Sequence, residues 1–335
     1  MTAGRIFFTI LIMNALVTGG TGFIGSHLIE FLLNKNIEVF ALVRDLNNLK
    51  WLTGLKIHLL KGDLFTVPLL PSGIDYVFHS AGLTRAFKAA DYYTVNQLGT
   101  ASFFQSLRSQ KILPKKIILL SSLAVVGPSS AGNPVQESSS PLPITPYGKS
   151  KLMGEVEALK FKDVYPITIL RASAVFGPRD RDFLQYFKWI RRGILPSLAS
   201  KQRLLSLCYV KDLIKAIYLC FQKELESGEI FNIANQKAYK WDEIGRAAGK
   251  VMGKKLKKVK IPLPVIYLAA LVSGIGGRIS KTPSIFDRNK FKDMKQDGWV
   301  ADIGKATEEL SFYPQYSMDE AVQETINWYL KNNWL

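Results

Sequence analysis

The stretch ALVTGGTGFIGSHLIEFLL at 15–33 joins an apolar strand, a glycine turn and an amphipathic helix. Gly19, Gly22 and Gly25 stand three residues apart, and Gly20, Gly22 and Gly25 also satisfy the pattern GxGxxG. Glycines at these places permit a tight turn, a close approach of the backbone to a pyrophosphate, and close packing of helix against strand. The free N–H groups at the start of the helix face the anion. The stretch therefore predicts a dinucleotide site.

The chain around this stretch alternates short apolar runs with helical patterns. The predicted strands lie at 14–18, 37–43, 56–61, 74–79, 116–121 and 167–171. Such alternation is typical of an α/β fold with a doubly wound parallel sheet of the Rossmann type, which binds ligands at the carboxyl ends of its strands. We expect the site there.

The alternation of strand and helix patterns becomes less regular after about residue 172. A helix is predicted near 181–193, a strand near 204–209, a helix near 210–223 and a strand near 229–233, followed mostly by helices. No linker rich in Gly, Ser or Pro separates the halves. We therefore predict a dinucleotide-binding domain over 1–172 and a smaller, mostly helical substrate lobe over 173–335, with the chain crossing back to the first domain.

Composition places the 335-residue chain among ordinary globular proteins, with 47% apolar and 21% charged residues. Cys208 and Cys220 belong to no CxxC or Cys/His cluster, so a disulfide framework is not indicated and a reducing cytoplasm is favoured. His27, His58 and His79 have no partner at metal-ligand spacing, and we predict no metal.

The formal net charge of +17 raises the question of an anionic partner. The basic residues are scattered, and the one dense run, KKLKKVK at 254–260, has no interleaved aromatics and no nucleic-acid-binding spacing. We predict no nucleic acid as partner. A solvated basic face is favoured over contact with a membrane surface.

Two apolar stretches bear on membranes. The first, at 6–17, resembles a signal-peptide core but has no small-residue cleavage site, and translation starts at either Met1 or Met13. The second, at 261–277, is uncharged but short for a span of about 20 residues. For it, a helix packed over a pocket is favoured over a helix at a membrane interface held by the neighbouring lysines.

The end of the second strand bears on cofactor choice. An acidic residue there accepts from the ribose 2′-OH of NAD, whereas an arginine suits the 2′-phosphate of NADP. Arg44 occupies the strand end and Asp45 follows, which favours NADP over NAD. Asp63, in KGDL at 61–64, is placed to meet the adenine amino group, although an exposed turn carboxylate explains it equally well.

A tyrosine and a lysine stand one helical turn apart at 147 and 151. Thr145 is a candidate N-cap and Pro146 fits the first helical position, and of thirteen tyrosines only Tyr147 has a lysine four places later. An ammonium there would lower the pKa of the phenol, which could then exchange a proton with a carbinol or carbonyl oxygen. Ser122, at the end of KIILLSS, is placed to donate to the same oxygen.

These motifs make the chain resemble the extended short-chain dehydrogenase/reductase family, also called the NAD-dependent epimerase/dehydratase family. The resemblance rests on VTGGTGFIGSHL, GDL, VFHSAG, VNQLGT, SSLAVVG, YGKSK, LRASAVFGPRD, YVKDL and GEIFNIAN, and it covers nearly the whole chain. HSAGLTRA, VRD and SSLAVVGPS are most similar to the branch of dihydroflavonol reductases and 3β-hydroxysteroid dehydrogenases, whose substrates are lipophilic.

The resemblance implies roles for individual residues. Tyr147 would be the general acid/base, Lys151 would bind the nicotinamide ribose, and Ser122 would orient the substrate beside Thr84, with Asn96 as structural support. The implied cofactor contacts are Gly19, Gly22, Phe23, Ile24, Gly25, Arg44, Asp63, Leu64, Ala81, Gly82, Lys151 and Ala172. Helices near 98–110 and 147–160 would pair in a homodimer.

The chain departs from the nucleotide-sugar members at three positions. Val126 stands where the family has tyrosine, and Ala174 and Leu205 stand where those members carry an asparagine and an arginine for the sugar diphosphate. Arg203 is close enough in sequence to substitute for the arginine.

We therefore predict an NADP-preferring enzyme that interconverts a secondary alcohol and a ketone on a fairly apolar small-molecule substrate. The first alternative is a nucleotide-sugar epimerase or dehydratase with tightly bound NAD. A remote alternative is a non-catalytic protein that senses the dinucleotide.

Overall fold

The structure is a computed structural model that describes residues 13–129, 133–198, 203–279, 283–284 and 286–335. Of the apolar stretch at 6–17, residues 6–12 therefore lie outside the described residues. The strands are β1 (Asn14–Thr18), β2 (Glu38–Val43), β3 (His58–Lys61), β4 (Tyr76–His79), β5 (Lys116–Ser122), β6 (Ile167–Ala172), β7 (Ala174–Phe176), β8 (Ile194–Leu198), β9 (Leu204–Leu205), β10 (Leu207–Tyr209), β11 (Glu229–Ile233), β12 (Tyr239–Lys240), β13 (Lys257–Ile261) and β14 (Gly298–Trp299). The helices are α1 (Phe23–Asn34), α2 (Ala89–Tyr93), α3 (Gly99–Ser109), α4 (Pro146–Leu159), α5 (Asp182–Arg191), α6 (Val210–Gln222), α7 (Trp241–Val251), α8 (Leu263–Ile279), α9 (Arg288–Met294), α10 (Gly304–Leu310) and α11 (Met318–Lys331).

The main sheet is parallel and has seven strands in the order β3-β2-β1-β4-β5-β6-β11. The chain winds outward from β1 to β3 and then in the other direction from β4, so the strand order reverses between β1 and β4. A ligand crevice is expected at that reversal. The predicted α/β doubly wound fold and its first six strands are confirmed, with three strands beginning one or two residues later than predicted.

Helices cover both faces of this sheet. On one face α1, α6 and α10 bury Leu28, Ile214 and Ala306. On the other face α3 and α4 bury Phe103 and Ala158. The central strands are covered on both sides, and every residue of β6 is buried. Strands buried on both faces are mostly apolar along their length rather than alternating between apolar and polar residues.

The second half of the chain forms a smaller lobe with its own core, in which α5, α7 and α11 pack through Phe187, Ile244 and Ile326. The strand predicted at 204–209 is split at Ser206, whose N–H donates to the Trp299 carbonyl at 2.7 Å and so joins β14. The boundary at residue 172 stays a prediction. Both α6 and β11 follow it in sequence and pack with the main sheet.

The apolar segment at 261–277 supplies most of α8. Ile266 and Ala270 are buried, whereas Val265, Leu268 and Val272 are exposed. The described residues therefore cover one face of the helix and leave the other exposed, and the expectation of a helix packed over a pocket stays a prediction. In the part of the chain that the structure describes, no helix combines the length and the hydropathy needed to cross a bilayer.

Candidate active site

The glycine turn connects β1 to α1 at the crevice. Gly19 has a φ of +75°, and a Cβ on it would lie 2.7 Å from the Ala81 nitrogen. A Cβ on Gly25 would overlap the Gly19 carbonyl oxygen. No side chain caps α1, so its first N–H groups are available to an anion. This close-packed turn with free donors fits the pyrophosphate of a dinucleotide.

The other predicted cofactor residues lie at the same edge of the sheet. They follow or end five strands, or lie on α4: Gly19, Gly22, Phe23, Ile24 and Gly25 after β1; Arg44 after β2; Asp63 and Leu64 after β3; Ala81 and Gly82 after β4; Ala172 at the end of β6; and Lys151 on α4. The topology therefore brings residues from distant parts of the sequence to one crevice. Their contacts with a cofactor stay predictions.

Arg44 and Asp63 follow β2 and β3 and lie where we expect the adenosine half of a dinucleotide. Arg44 is exposed directly after β2. Asp63 Oδ1 accepts from the N–H groups of Phe65 and Thr66, both at 2.8 Å, so this carboxylate stabilises its own turn. Burial opposes ionisation of Asp63, but its hydrogen bonds and the charge of Arg44 outweigh burial and lower its pKa. The Asp63 side chain is thus an anion beside an exposed guanidinium.

Ser122, Tyr147 and Lys151 come together at the carboxyl end of β5. The Ser122 Oγ accepts from the Ala124 N–H at 3.2 Å and is also hydrogen-bonded to the Tyr147 phenol. The Thr145 hydroxyl accepts from the Gly148 N–H at 3.2 Å and Pro146 opens the helix, so the predicted cap of α4 is confirmed. The catalytic roles of the three residues stay predictions.

The electrostatics of this trio differ from the sequence expectation. Burial raises the pKa of Tyr147, the hydrogen bond with Ser122 lowers it, and the charge of Asp293 adds to the increase. The Lys151 ammonium donates to the Leu120 carbonyl at 2.7 Å, and burial lowers its own pKa to about 8. The expected lowering of the Tyr147 pKa by Lys151 is therefore not seen, because burial dominates. Tyr147 is a protonated phenol at neutral pH.

A buried ion pair between α4 and β6 lies next to these three residues and was not predicted from the sequence. Glu155 lies one turn after Lys151 on α4, and its Oε2 accepts from Arg171 Nη2 at 2.7 Å. The two side chains are only 3% and 4% exposed. The Ser121 hydroxyl also donates to Glu155. The available signal was an arginine inside the otherwise apolar strand ITILRA, because a charge there requires a partner.

Asn96 fixes the loop that carries Gly82 and Thr84. Its Oδ1 accepts from the Leu83 N–H at 2.7 Å, and its Nδ2 donates to the Leu83 carbonyl at 3.0 Å and to Ser150 Oγ at 2.9 Å. The loop is thereby tied to α4. Thr84 is exposed beside it, and its contact with substrate stays a prediction.

His79 is buried at the end of β4 and is held by two hydroxyls. Its Nδ1 lies 2.8 Å from Thr18 Oγ1 and its Nε2 lies 3.2 Å from Thr100 Oγ1. Burial and the Lys151 charge lower its pKa to about 3, so the ring is neutral. The described ranges contain no cluster of His, Cys, Asp or Glu that could hold a metal ion, and the predicted absence of a metal stays a prediction.

Helices α2 and α9 approach Tyr147 on the side where we expect the substrate, which we call the substrate side. The Tyr92 ring meets the Tyr147 ring edge-on at 6.1 Å between centroids. Asp293 on α9 has a buried Oδ1 without a hydrogen-bond partner. Arg203, which was expected to substitute for an arginine at 205, donates to the Met294 carbonyl. Its guanidinium therefore helps to fix the end of α9.

The model of the NAD-dependent epimerase/dehydratase family matches residues 15–234. The chain belongs to this family. Within the family it is 28% identical over 324 residues to the ceramide reductase of Caulobacter vibrioides, covering 95% of each chain. It is 25% identical over 351 residues to human dTDP-D-glucose 4,6-dehydratase, covering 95% of this chain and 91% of the relative.

Solved structures of the epimerase/dehydratase family share the fold. The UDP-glucuronic acid 4-epimerase of Bacillus cereus in complex with NAD superposes with a TM-score of 0.76 at 24% identity, covering 96% of this chain and 100% of the epimerase. The resemblance found in the sequence is thus confirmed, and the protein is an NAD(P)-dependent enzyme of the extended short-chain dehydrogenase type.

The comparisons also bear on the predicted substrate and on the predicted cofactor. Taken alone, they favour the nucleotide-sugar alternative over the leading prediction of an apolar substrate, because the similar solved structures include enzymes bound to UDP-sugars. These structures contain NAD, and they do not support a preference for NADP.

Replacing Gly25 with alanine tests the cofactor turn. In Gly25→Ala, the new methyl group would overlap the Gly19 carbonyl oxygen and force the turn away from α1. We expect dinucleotide affinity to fall at least about tenfold, which corresponds to about 1.4 kcal/mol, in a calorimetric titration. Gly276→Ala is the matched control, because nothing lies within 4 Å of its added Cβ. Unchanged affinity in Gly25→Ala would show that the dinucleotide binds elsewhere.

Proposed function

We propose that the protein interconverts a secondary alcohol and a ketone on a fairly apolar substrate by hydride transfer with a nicotinamide dinucleotide. The observation that carries the proposal is the convergence of Tyr147 and Lys151, one turn apart on α4, with Ser122 at the carboxyl end of β5, where Lys151 donates to the Leu120 carbonyl. These groups supply a proton, a second donor and a positive charge beside the glycine turn.

In the reductive direction, the Tyr147 phenol donates its proton to the substrate carbonyl oxygen. A bound nicotinamide would supply the hydride to the carbonyl carbon. The raised pKa of Tyr147 keeps the phenol protonated and ready to donate. Ser122 donates a hydrogen bond to the same oxygen and so orients the carbonyl. Lys151, whose ammonium donates to the Leu120 carbonyl, would supply a positive charge to the site and contact the ribose of the cofactor. In the oxidative direction, Tyr147 accepts the proton from the alcohol.

Two observations support an apolar substrate. Ala174 and Leu205 replace the asparagine and the arginine that nucleotide-sugar members use, and Arg203 is occupied with the Met294 carbonyl. The relative from Caulobacter vibrioides carries the name ceramide reductase. At these two positions the chain therefore offers a sugar diphosphate no charged or amide side chain.

The second candidate is a nucleotide-sugar epimerase or dehydratase that regenerates its cofactor in place. The similar solved structures favour it, since they include UDP-glucuronic acid 4-epimerase with UDP-glucuronic acid and NAD. The two candidates share the chemistry at Tyr147. They differ in whether the redox state of the cofactor has changed at the end of a turnover.

Binding measurements on the purified protein separate these candidates. The melting temperature is recorded with NADP, NAD, UDP-sugars and dTDP-sugars, and any nucleotide that co-purifies is identified by mass. The proposal predicts stabilisation by free dinucleotide and no shift with a sugar nucleotide. Retained NAD together with a sugar-nucleotide shift would overturn it in favour of the second candidate.

We further propose that the protein prefers NADP, because the exposed Arg44 at the end of β2 can pair with a 2′-phosphate. In Arg44→Gln we expect NADP affinity to fall about tenfold, while NAD affinity changes little because it carries no 2′-phosphate. Titration of both cofactors measures the ratio. The matched control is Lys56→Gln, another exposed cation, which should leave the ratio unchanged. Tighter binding of NAD than NADP by the wild type would contradict the preference.

We also propose a cytoplasmic homodimer that is formed through α3 and α4. Leu98, which precedes α3, and Val156 on α4 support this proposal, since they are 53% and 42% exposed. Sedimentation of the purified protein tests it, and a monomer at high concentration would contradict it.

A further inference from the structure

The described residues leave one face of α8 uncovered, which is unusual for a helix at a protein surface. Val265, Leu268 and Val272 are 54%, 61% and 61% exposed, and their spacing of three and four residues places them on one side. Ile266 and Ala270 lie on the opposite, buried side. A surface helix normally presents polar residues to water, and a helix that is apolar on both sides requires a cover.

The segment beside this face is strongly basic. Pro262 alone separates α8 from β13, and the exposed lysines before and within β13 are Lys254, Lys255, Lys257, Lys258 and Lys260. Of these, Lys258 pairs with Asp242. The sequence contains no acidic residue from 244 to 286. We call the exposed apolar face of α8, together with these lysines that directly precede it in the chain, the α8–β13 surface.

We propose that the α8–β13 surface docks on an anionic lipid bilayer. An interfacial helix buries its apolar face at the level of the acyl chains while flanking lysines contact anionic headgroups. Val265, Leu268 and Val272 supply the apolar contact, and Tyr267 lies on the same helix with its ring partly exposed. The long lysine side chains extend from β13 toward the headgroups.

The charge of the α8–β13 surface favours an anionic bilayer over a second copy of the chain as its binding partner. A symmetric dimer through this surface would bring the lysines of one protomer against those of the other, on a chain whose net charge is already +17. Like charges across an interface oppose association. An anionic bilayer instead complements the surface.

The docking surface is one helix away from the active site. The Tyr267 ring on α8 packs against the Phe291 ring on α9 at 5.1 Å between centroids, and Asp293 on α9 acts electrostatically on Tyr147. Docking would therefore place the substrate side near the membrane. The docking proposal does not rest on the proposed function, since it concerns a different surface and a different partner.

Co-sedimentation with vesicles tests the proposal on the full chain. The protein is mixed with vesicles of phosphatidylcholine alone, or of phosphatidylcholine with an equal amount of phosphatidylglycerol. We expect binding to the anionic vesicles and little to the neutral ones, with loss of binding as salt rises.

Paired variants separate the apolar and the basic contributions. The apolar variant carries Leu268→Gln and Val272→Gln. The basic variant carries Lys254→Gln, Lys255→Gln and Lys257→Gln. Each variant should bind to the anionic vesicles at least about tenfold more weakly than the wild type. The apolar control carries Leu69→Gln and Leu113→Gln, since these leucines lie outside the α8–β13 surface and are 87% and 71% exposed. The basic control carries Lys56→Gln, Lys111→Gln and Lys331→Gln, which replace exposed lysines outside that surface. Both controls should bind as the wild type does. Unchanged melting temperatures would show that the variants are folded.

Three results would overturn the proposal. The first is wild-type protein that stays in the supernatant with both kinds of vesicle. The second is binding that the controls weaken as much as the variants do, which would indicate a general effect of net charge. The third is a dimer in solution that dissociates in Leu268→Gln with Val272→Gln, which would make a second copy the occupant.

Discussion

Tyr147→Phe is expected to lower kcat by more than about a hundredfold, the usual effect of removing a positioned acid or base. The phenol is held by α4 and hydrogen-bonded to Ser122, and burial keeps it protonated. Phenylalanine retains the ring and its edge-on packing against Tyr92 but has no proton to donate. The chemical step should therefore fail while the site keeps its shape.

The control for this experiment is Tyr313→Phe, which removes a hydroxyl from a side chain that is 62% exposed. It should leave kcat unchanged. Dinucleotide affinity should be the same in the wild type and Tyr147→Phe, because the glycine turn is untouched. A kcat near that of the wild type in Tyr147→Phe would exclude this tyrosine as the acid/base.

Glu155→Ala is expected to lower the free energy of unfolding by about 3–5 kcal/mol, the cost of leaving one partner of a buried ion pair alone. Arg171 lies inside β6 and its side chain is 4% exposed, so it cannot turn to water. Ser121 would lose its acceptor as well. Because Glu155 raises the pKa of Lys151 against burial, its removal should also lower the pKa of that ammonium further.

Chemical denaturation of the wild type and the variants measures this loss. The matched control is Glu157→Ala on the same helix, since Glu157 pairs with the exposed Lys160 and such pairs contribute at most about 1 kcal/mol. If Glu155→Ala does not fold, Glu155→Leu with Arg171→Met supplies the test, because replacing both charges should restore much of the stability. Equal losses in Glu155→Ala and Glu157→Ala would contradict the buried pair.

The doubly wound fold and the positions of its first six strands along the chain were predictable because their signals are local. The buried strands are continuous apolar runs, and the glycine turn lies between a strand and a helix whose periods are clear. Tyr147 and Lys151 stand one turn apart, so a helix alone brings them together. The doubly wound topology then fixes the edge at which Ser122 meets them.

Features that depend on contacts between distant residues were not predictable. The pairing of Glu155 with Arg171 joins a helix to a strand, and the sequence shows two charges without their burial. The raised pKa of Tyr147 reflects burial by neighbours from other segments, and the lysine four places along the chain is not among its causes. The uncovered face of α8 likewise follows from how α8 lies on α9, since the same apolar sequence suits a buried helix.

The net redox change of the cofactor during turnover tests the central claim most directly. Purified protein is given reduced NADP or NAD with a panel of lipophilic ketones, or with UDP- and dTDP-sugars, and the absorbance of the reduced nicotinamide is followed. The account predicts that a lipophilic ketone consumes the reduced cofactor and that Tyr147→Phe abolishes this consumption. Conversion of a sugar nucleotide with no net change in cofactor, and no consumption with any ketone, would contradict it.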